Sequence, residues 1–219
     1  MEVSTLSRRE RERLARRRAM LDAALAVFAE KGYAGATLDE VAERAEFGKG
    51  TLYNYFPGGK EEILFALIDD AYDGMVALVE TYFGAHEAGT PARELFHGFI
   101  ARFLAHFIER QAVFMLLIKE AQRLMFDDEA RRATHLFRLR ERLADALARP
   151  IEAAMARGAL RPHDPRAVAH LLMGNIHGLL MAATCAPEGE APIAPDPEIG
   201  ADFITEILFD GLLAEPGRA

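Results

Sequence analysis

The stretch from Lys49 to Phe56, KGTLYNYF, holds the side chains best suited to recognising a charged partner. Leu52 and Phe56 are four residues apart, so together they give a helix one apolar face. The other positions carry an ammonium group, hydroxyls and an amide, which are left to face outward. Ammonium and hydroxyl groups donate to phosphate, and Asn54 has the geometry to pair with an adenine edge. This combination favours contact with nucleic acid.

A second short helix is predicted just before this stretch, where apolar residues have helical spacing at Leu38, Val41, Ala42 and Ala45. Thr37 is expected to cap its N-terminus, and Glu40 lies three residues on, as a capping box requires. Glu46-Phe47-Gly48 then interrupts the pattern. Two short helices joined by a tight turn predict a helix-turn-helix over residues 37–56.

Composition is that of a globular protein without a membrane span. The 219 residues are 51% hydrophobic and include a single cysteine, Cys185, so no internal disulfide can form. The most apolar stretch, 168–186, is interrupted by His170, Asn175 and His177, which favours a buried helix. We also find no apolar segment of a signal peptide, and therefore expect a cytoplasmic protein.

Charge is distributed unevenly along a chain whose net charge is −8. Residues 1–60 contain 11 Lys or Arg and nine Asp or Glu, and the first 20 residues contain seven Arg and three Glu. The arginine-rich start has two interpretations: a solvated helix face with Glu–Arg pairs, or a contact to DNA phosphate. Its position beside a helix-turn-helix favours the second.

Helical patterns account for the rest of the chain, and no strand pattern is found. We predict one helix from about Ser7 to Lys31, which Gly32 ends, and another from Lys60 to about Phe83 after the turn at Pro57–Gly59. Further helices are predicted at about 91–109, 111–125, 128–157, 165–184 and 197–214. Pro150 should kink or split the third of these.

The pattern from Ala19 to Leu64 resembles the TetR family of bacterial transcriptional regulators. The matching segments are AMLDAALAVFAEKGYAGATLDEVAERA, KGTLYNYF and KEEIL, and RGALRPHDPRAVAHLLMGNIHGLL gives a looser likeness further on. The resemblance implies an all-α fold of about nine helices and a homodimer. It implies a three-helix DNA-binding head at 14–75 and a ligand-binding and dimerisation body at 76–219. Two departures are the triplet 46–48, where the family usually has Gly, a small aliphatic residue and Ser, Thr or Ala, and one extra residue before Lys60.

The predicted sites follow from these patterns and from the resemblance. Contacts to double-stranded DNA with a palindromic sequence are expected from Thr37, Lys49, Gly50, Thr51, Tyr53, Asn54, Tyr55 and Lys60. A small-molecule effector, which the resemblance implies, would lie among Phe103, His106, Phe107, Phe114, Met115, His135, Phe137, Met173 and His177. The alternative for each aromatic residue is ordinary core packing. A dimer interface is predicted at Gly174, Gly178, Phe203 and Ile207, with packing inside one subunit as the alternative.

Enzymatic and metal-binding functions have little support. Serine occurs only at positions 4 and 7, and Cys185 lies in an apolar run, where a thiol is inert. His163, His170 and His177 are seven residues apart, about 10.5 Å along a helix, too far to share one metal ion. We therefore predict no cofactor, no metal and no catalytic residue.

The predicted function is a ligand-responsive, homodimeric transcriptional repressor that its ligand releases from DNA. One alternative is a regulator that needs its ligand to bind DNA, or that activates. The other is a helical small-molecule carrier or enzyme with a vestigial DNA-binding head. DNA binding at low salt distinguishes that last alternative from the rest.

Overall fold

The computed structural model describes residues 7–86, 89–111, 114–116, 118–120, 130–185 and 196–211. Within these ranges no residue lies in a strand, which confirms the all-α prediction. The described ranges contain eight long or short α-helices: α1 (Arg8–Gly35), α2 (Leu38–Arg44), α3 (Lys49–Tyr55), α4 (Gly59–Gly84), α5 (Ala92–Ile108), α6 (Ala130–Ala156), α7 (Pro165–Cys185) and α8 (Pro197–Thr205). Residues 114–116 and 118–120 are also helical, and a π-helical turn, Glu206–Asp210, follows α8.

The first helix begins and ends by local rules. Ser7 is its N-cap and forms a capping box with Glu10, whose backbone N–H donates to Ser7 Oγ across 3.3 Å. Gly32 takes the left-handed conformation (φ +71°), as expected of a glycine near a helix end. The helical turn nevertheless resumes after it and reaches Gly35, so α1 extends beyond its predicted end at Lys31.

The predicted helix at about 128–157 is observed as α6, and one later boundary differs from the prediction. Pro150 lies inside α6, which continues to Ala156, so of the two predicted effects of this proline the split does not occur. The last predicted helix, 197–214, is α-helical only to Thr205 and then widens into the π-helical turn. Over the residues described, none of the helices combines the length and apolarity that crossing a bilayer requires.

The chain divides into two compact units. The N-terminal unit comprises residues 1–71 with 111–136, and the C-terminal unit comprises residues 72–110 with 137–219. The sequence-based division into 14–75 and 76–219 places residues 111–136 with the body, and it stays a prediction. The boundary between the units falls within α4.

In the N-terminal unit, α1 packs on α2 and α2 packs on α3. The centre of this packing is apolar and fully buried; among its largest side chains are Met20, Leu21, Phe28, Leu52, Phe56, Ile63 and Leu64. Burial of side chains this large is the main stabilising contribution to a small helical unit. It fixes α3 on the unit by one face only.

In the C-terminal unit, α5 packs closely along α8, and both contact α7. Gly200 makes this possible, because a Cβ atom there would lie 2.8 Å from Leu104 Cδ1 and 3.1 Å from Leu179 Cδ2. At the polar edge of the same contact, His97 Nε2 lies 2.9 Å from Asp202 Oδ1. The α5–α8 pair is thus held by close backbone approach as well as by polar contacts.

Candidate nucleic-acid interface

The start of α2 is fixed by the predicted capping box. Thr37 Oγ1 accepts from the N–H of Glu40 across 3.3 Å, and Glu40 Oε2 accepts from the N–H of Thr37 across 2.9 Å. The ammonium group of Lys31, near the end of α1, donates to the other oxygen of Glu40. The Lys31 hydrogen bond and the two Thr37 bonds lower the pKa of Glu40 from 4.5 to about 2. The carboxylate therefore joins the end of α1 to the start of α2.

The turn between α2 and α3 is a Schellman motif. The N–H of Phe47 donates to the carbonyl of Ala42 (2.9 Å), and the N–H of Glu46 donates to the carbonyl of Glu43 (3.1 Å). This pattern requires a left-handed residue at position 46, and Glu46 has φ +59°. It is a site where glycine is ordinarily found, since a Cβ atom is strained in that conformation.

Gly48 is the N-cap of α3 and provides no side-chain hydrogen bond to the first turn. Its carbonyl accepts from the N–H of Thr51 at 2.8 Å and from that of Leu52 at 3.2 Å, so the helix starts with main-chain bonds alone. Glycine therefore gives α3 a weaker N-cap than Ser, Asp or Asn would.

The recognition face of α3 is free of the core. Leu52 and Phe56 are each 1% exposed, so the opposite face of the helix carries the packing. Lys49, Gly50, Tyr53 and Asn54 are exposed, Thr51 and Tyr55 are half-buried, and Thr37 is exposed at the start of α2. Seven of the eight predicted DNA contacts thus lie on α3 or at the neighbouring end of α2, although their roles stay predictions.

Lys49 is joined to α2 by an ion pair. Its Nζ lies 2.8 Å from Asp39 Oδ1 and donates to Asp39 Oδ2 across 3.0 Å, and the hydrogen bond to Asp39 raises the pKa of Lys49. The pair joins the first turn of α2 to the first turn of α3, and the Asp39 carboxylate offsets the charge of the Lys49 ammonium group.

Lys60 occupies a different kind of position. Its Nζ donates to the carbonyls of Tyr33 (2.8 Å), Ala34 (3.3 Å) and Ala36 (2.9 Å), and lies 4.7 Å from the centre of the Tyr33 ring. An ammonium group has three donors, and here all three have carbonyl partners. The predicted phosphate contact is untested, but the structure gives Lys60 a supporting position at the end of α1.

The turn before Lys60 is closed by two backbone donors. Gly59 is left-handed (φ +67°), and its N–H donates to the carbonyl of Phe56 at 2.9 Å. The N–H of Gly58 donates to Glu62 Oε2 at 2.6 Å, so a carboxylate caps the start of α4. The extra residue before Lys60 lies within this turn. In the first turn of α4, the Lys60 side chain is directed at the end of α1.

Two arginines of α1 lie over rings at the end of α3. The guanidinium carbon of Arg13 is 5.9 Å from the centre of the Tyr55 ring, and that of Arg17 is 5.3 Å from the centre of the Phe56 ring. The sequence pattern gave no signal for these pairs, or for Asp39, because all of them depend on how separate helices pack. The arginine-rich start of the chain is part of α1 and adjoins the recognition helix.

The nine residues predicted to bind an effector are divided between the two units. Phe114 (buried), Met115 and His135 (both half-buried) belong to the N-terminal unit, where His135 Nε2 lies 2.7 Å from Asp69 Oδ1. The C-terminal unit holds Phe107 (buried), Phe103, His106 and Met173 (half-buried), and Phe137 and His177 (exposed). Burial lowers the pKa of His106, which keeps the ring neutral near pH 7. Phe137 is 62% exposed, so its position does not support a lining role.

The predicted dimer residues lie on an apolar surface of the C-terminal unit. Gly174 and Gly178 are exposed, with no atom within 4 Å of where a Cβ would stand. Phe203 is 47% exposed, whereas Ile207 is half-buried. Two exposed apolar side chains that the sequence did not single out, Leu171 (56%) and Ile199 (49%), lie on the same two helices.

The apolar residues of the last helix do not all contribute to this surface. Ile204, next to Phe203, is 2% exposed and belongs to the core. The π-helical turn that begins at Glu206 also changes the helical spacing after Thr205. The exposed apolar surface on α7 and α8 is defined by Leu171, Gly174, Gly178, Ile199 and Phe203.

The geometry described so far, two short helices with a tight turn and one free face, defines a helix-turn-helix DNA-binding protein. Residues 20–67 match the family model described as bacterial regulatory proteins of the tetR family. The chain is 29% identical to the uncharacterized HTH-type transcriptional regulator YhgD of Bacillus subtilis over 163 residues. That alignment covers 72% of this chain and 78% of YhgD. It is also 37% identical to the HTH-type transcriptional repressor KstR of Mycolicibacterium smegmatis over 80 residues. That alignment covers 36% of this chain and 38% of KstR.

The fold is similar beyond the head as well. The transcriptional regulator FadR of Bacillus subtilis, solved in complex with stearoyl-CoA, superposes with a TM-score of 0.74 at 18% identity, over 89% of this chain and 98% of FadR. Together these comparisons confirm the resemblance to the TetR family of transcriptional regulators, whose family model residues 20–67 match. The proteins found by these comparisons are transcriptional regulators, in agreement with the prediction that the chain is not an enzyme.

Proposed function

We propose that this protein is a homodimeric repressor that binds a palindromic operator and leaves it when a small apolar ligand binds the C-terminal unit. The observation that carries the DNA-binding part is the division of α3 into two faces. Leu52 and Phe56 are buried in the head, while Lys49, Tyr53 and Asn54 are exposed. A helix held by one face and polar on the other has the form that enters a major groove.

The exposed groups divide into two roles. Lys49 and Asn54 have donors that match guanine and adenine edges, so they are proposed to read sequence. The hydroxyl groups of Thr37, Thr51 and Tyr53 are proposed to bind phosphates and set orientation. Gly50, with no atom near a hypothetical Cβ, leaves room for the helix backbone to approach the bases.

DNA binding is tested by selecting bound duplexes from a random pool and measuring their affinity by fluorescence anisotropy. The selected sequences should be palindromic, with half-sites about one helical turn, or a multiple of it, apart. Lys49→Ala should weaken binding to the selected duplex. Lys119→Ala, at an exposed lysine outside α1–α4, is the matched control and should bind as the wild type does. No binding at low salt would refute the proposal and favour a vestigial head.

A homodimer is supported by the apolar surface on α7 and α8. Leu171, Ile199 and Phe203 are each about half exposed, so two helices that contact each other expose three large apolar side chains. Gly174 and Gly178 leave a flat strip of α7 that another helix can approach closely. A twofold contact would cover this surface with its own copy and set two recognition helices on one DNA molecule.

The dimer is tested by sedimentation velocity. Phe203→Glu places a charge in the proposed interface and should produce monomers that bind operator DNA weakly. Phe137→Glu, at a phenylalanine still more exposed but on α6, should leave the dimer intact. Equal behaviour of the two variants would place the interface elsewhere.

The ligand is proposed to be apolar because α5 presents rings along its length. Phe99 lies 5.8 Å from Phe103 between ring centres, and Phe107 follows one turn later. FadR, which shares the fold, was solved with stearoyl-CoA, and this compound is the first probe. Stearoyl-CoA should release the protein from selected DNA, with coenzyme A alone as the control.

The change in DNA affinity that a ligand causes measures how strongly it prefers the protein that is free of DNA. A ligand that prefers the free protein tenfold contributes about 1.4 kcal/mol to release. A ligand that strengthens DNA binding instead would reverse the proposed direction and identify a ligand-dependent DNA binder. A screen of apolar compounds that leaves DNA affinity unchanged would refute the ligand-responsive part.

A further inference from the structure

Four arginines of α1 share one side of the helix. Arg9, Arg13, Arg16 and Arg17 stand at i, i+4, i+7 and i+8, so they fall within a narrow sector of the helical wheel. Met20, at i+11, continues the same sector and is fully buried in the head. We call these four residues the arginine stripe. They lie on the same side of α1 as the buried Met20, but nearer the N-terminus of the helix.

The stripe adjoins the recognition helix. Arg13 lies over the ring of Tyr55 and Arg17 over that of Phe56, both at the C-terminal end of α3. A guanidinium group that stacks on a ring uses its face and keeps its N–H donors in the plane. Both arginines are thus held beside α3 with donors left for another acceptor.

The charge of the stripe is not balanced within the head. The ion pairs of this part of α1 belong to residues on its other sides: Arg8 with Glu12, and Arg18 with Asp22 and Asp70. In the part of the chain that the structure describes, no carboxylate lies within salt-bridge distance of the four stripe guanidinium groups. Four adjacent cations outside the described ion pairs, in a chain of net charge −8, favour a locally positive surface.

We propose that the arginine stripe is a second DNA-binding surface, which contacts backbone phosphates flanking the half-site that α3 reads. This inference rests on the proposed DNA-binding function and adds to it. From Arg9 to Arg17 the helix rises about 12 Å, the length of about three to four base pairs. Guanidinium forks match phosphate oxygens, so the partner is the phosphodiester backbone and not the bases.

Phosphate contacts of this kind supply affinity without specificity. Each neutralised phosphate contributes about 0.9 to the slope of log affinity against log salt concentration. The stripe should therefore raise binding to selected and random duplexes by the same factor. It should also lengthen the protected backbone at both outer ends of the operator.

The experiment compares two double variants with the same change of charge. Arg9→Gln with Arg16→Gln removes the two stripe residues that contact no ring, and Arg8→Gln with Arg11→Gln removes two charges from other sides of the same helix. With two heads per operator, the stripe variant should lower the salt slope by up to about 3.6, and the control variant should lower it far less. Hydroxyl-radical footprints of the stripe variant should be shorter at their outer ends.

The outcomes separate this inference from the proposed function. If the wild type binds selected DNA and the two double variants lose affinity and slope equally, net charge alone acts and the stripe is refuted. If the stripe variant loses affinity for selected DNA but not for random DNA, the stripe reads sequence and the phosphate assignment is wrong. If the wild type binds no DNA, the proposed function fails first and the inference falls with it.

Discussion

Replacing Glu46 by glycine is expected to stabilise the protein. Glu46 has φ +59° in the Schellman motif that closes α2, and the two hydrogen bonds of that motif come from the main chain and are kept by any residue. A left-handed conformation costs a residue with a Cβ atom roughly 1–2 kcal/mol. Glycine is freer in the unfolded chain, which offsets about 0.5–1 kcal/mol of this.

The net gain for Glu46→Gly is therefore roughly 0.5–1 kcal/mol in the free energy of unfolding. For a chain of this length that corresponds to about 1–4 °C in melting temperature. The measurement is equilibrium urea denaturation at fixed protein concentration, because a dimer would make the midpoint concentration-dependent.

Two control variants isolate the backbone effect. Glu46→Ala removes the carboxylate but keeps a Cβ atom in the left-handed conformation, so stability should stay close to that of the wild type. Glu43→Gly places glycine at an exposed, ordinary helical position in α2 and should cost about 1 kcal/mol. If alanine stabilises as much as glycine at position 46, the carboxylate and not the backbone is responsible, and the reasoning is refuted. A loss of stability in Glu46→Gly would refute it as well.

Three further predictions concern the head and the body. Lys60→Met should cost about 1–3 kcal/mol in urea denaturation, because three carbonyls lose a charged donor; unchanged stability with weaker DNA binding would show a phosphate contact instead. Glu40→Gln should flatten the pH dependence of stability: the pKa of Glu40 is lowered to about 2, so its contribution is present above pH 4.5 and is lost as pH falls towards 2. Gly98→Ala should cost about 1–3 kcal/mol, since its Cβ would meet the Tyr82 hydroxyl. In a Tyr82→Phe background the same change should cost less, and a double-mutant cycle measures the difference.

Features of the head that depend on neighbouring residues were predictable from the sequence. The capping box of Thr37 and Glu40 spans three residues, and the burial of Leu52 and Phe56 follows from a spacing of four. Such local patterns are complete within one or two helical turns, so no knowledge of the fold is needed. They were sufficient to place the recognition helix and its two faces.

Features that join distant segments were not predictable in the same way. Lys60 finds its partners 24–27 residues earlier in the chain, and these contacts exist only after the start of α4 has packed against the end of α1. The family pattern alone would have directed its ammonium group at DNA. The Arg13–Tyr55 contact likewise exists only after α1 and α3 have packed.

The body was less predictable for a related reason. Helical spacing shows that a face is apolar, but not whether the core, a ligand or another copy covers it. Phe203 and Ile204 are adjacent and equally apolar, yet one is about half exposed and the other is buried. The difference depends on where α8 lies against α5, which a single sequence does not reveal.

The ion pair between Lys49 and Asp39 affects which DNA groups Lys49 can bind. Both side chains are more than half exposed, so water screens the pair and another acceptor can replace the carboxylate. A phosphate that took the ammonium group would approach a carboxylate that keeps its own charge, and two anions at such a distance repel. A guanine edge has no net charge and avoids that repulsion, so the pair favours base reading by Lys49 over phosphate binding. Loss of Lys49 should then alter which duplexes are selected, whereas loss of the stripe arginines should change affinity for all duplexes alike.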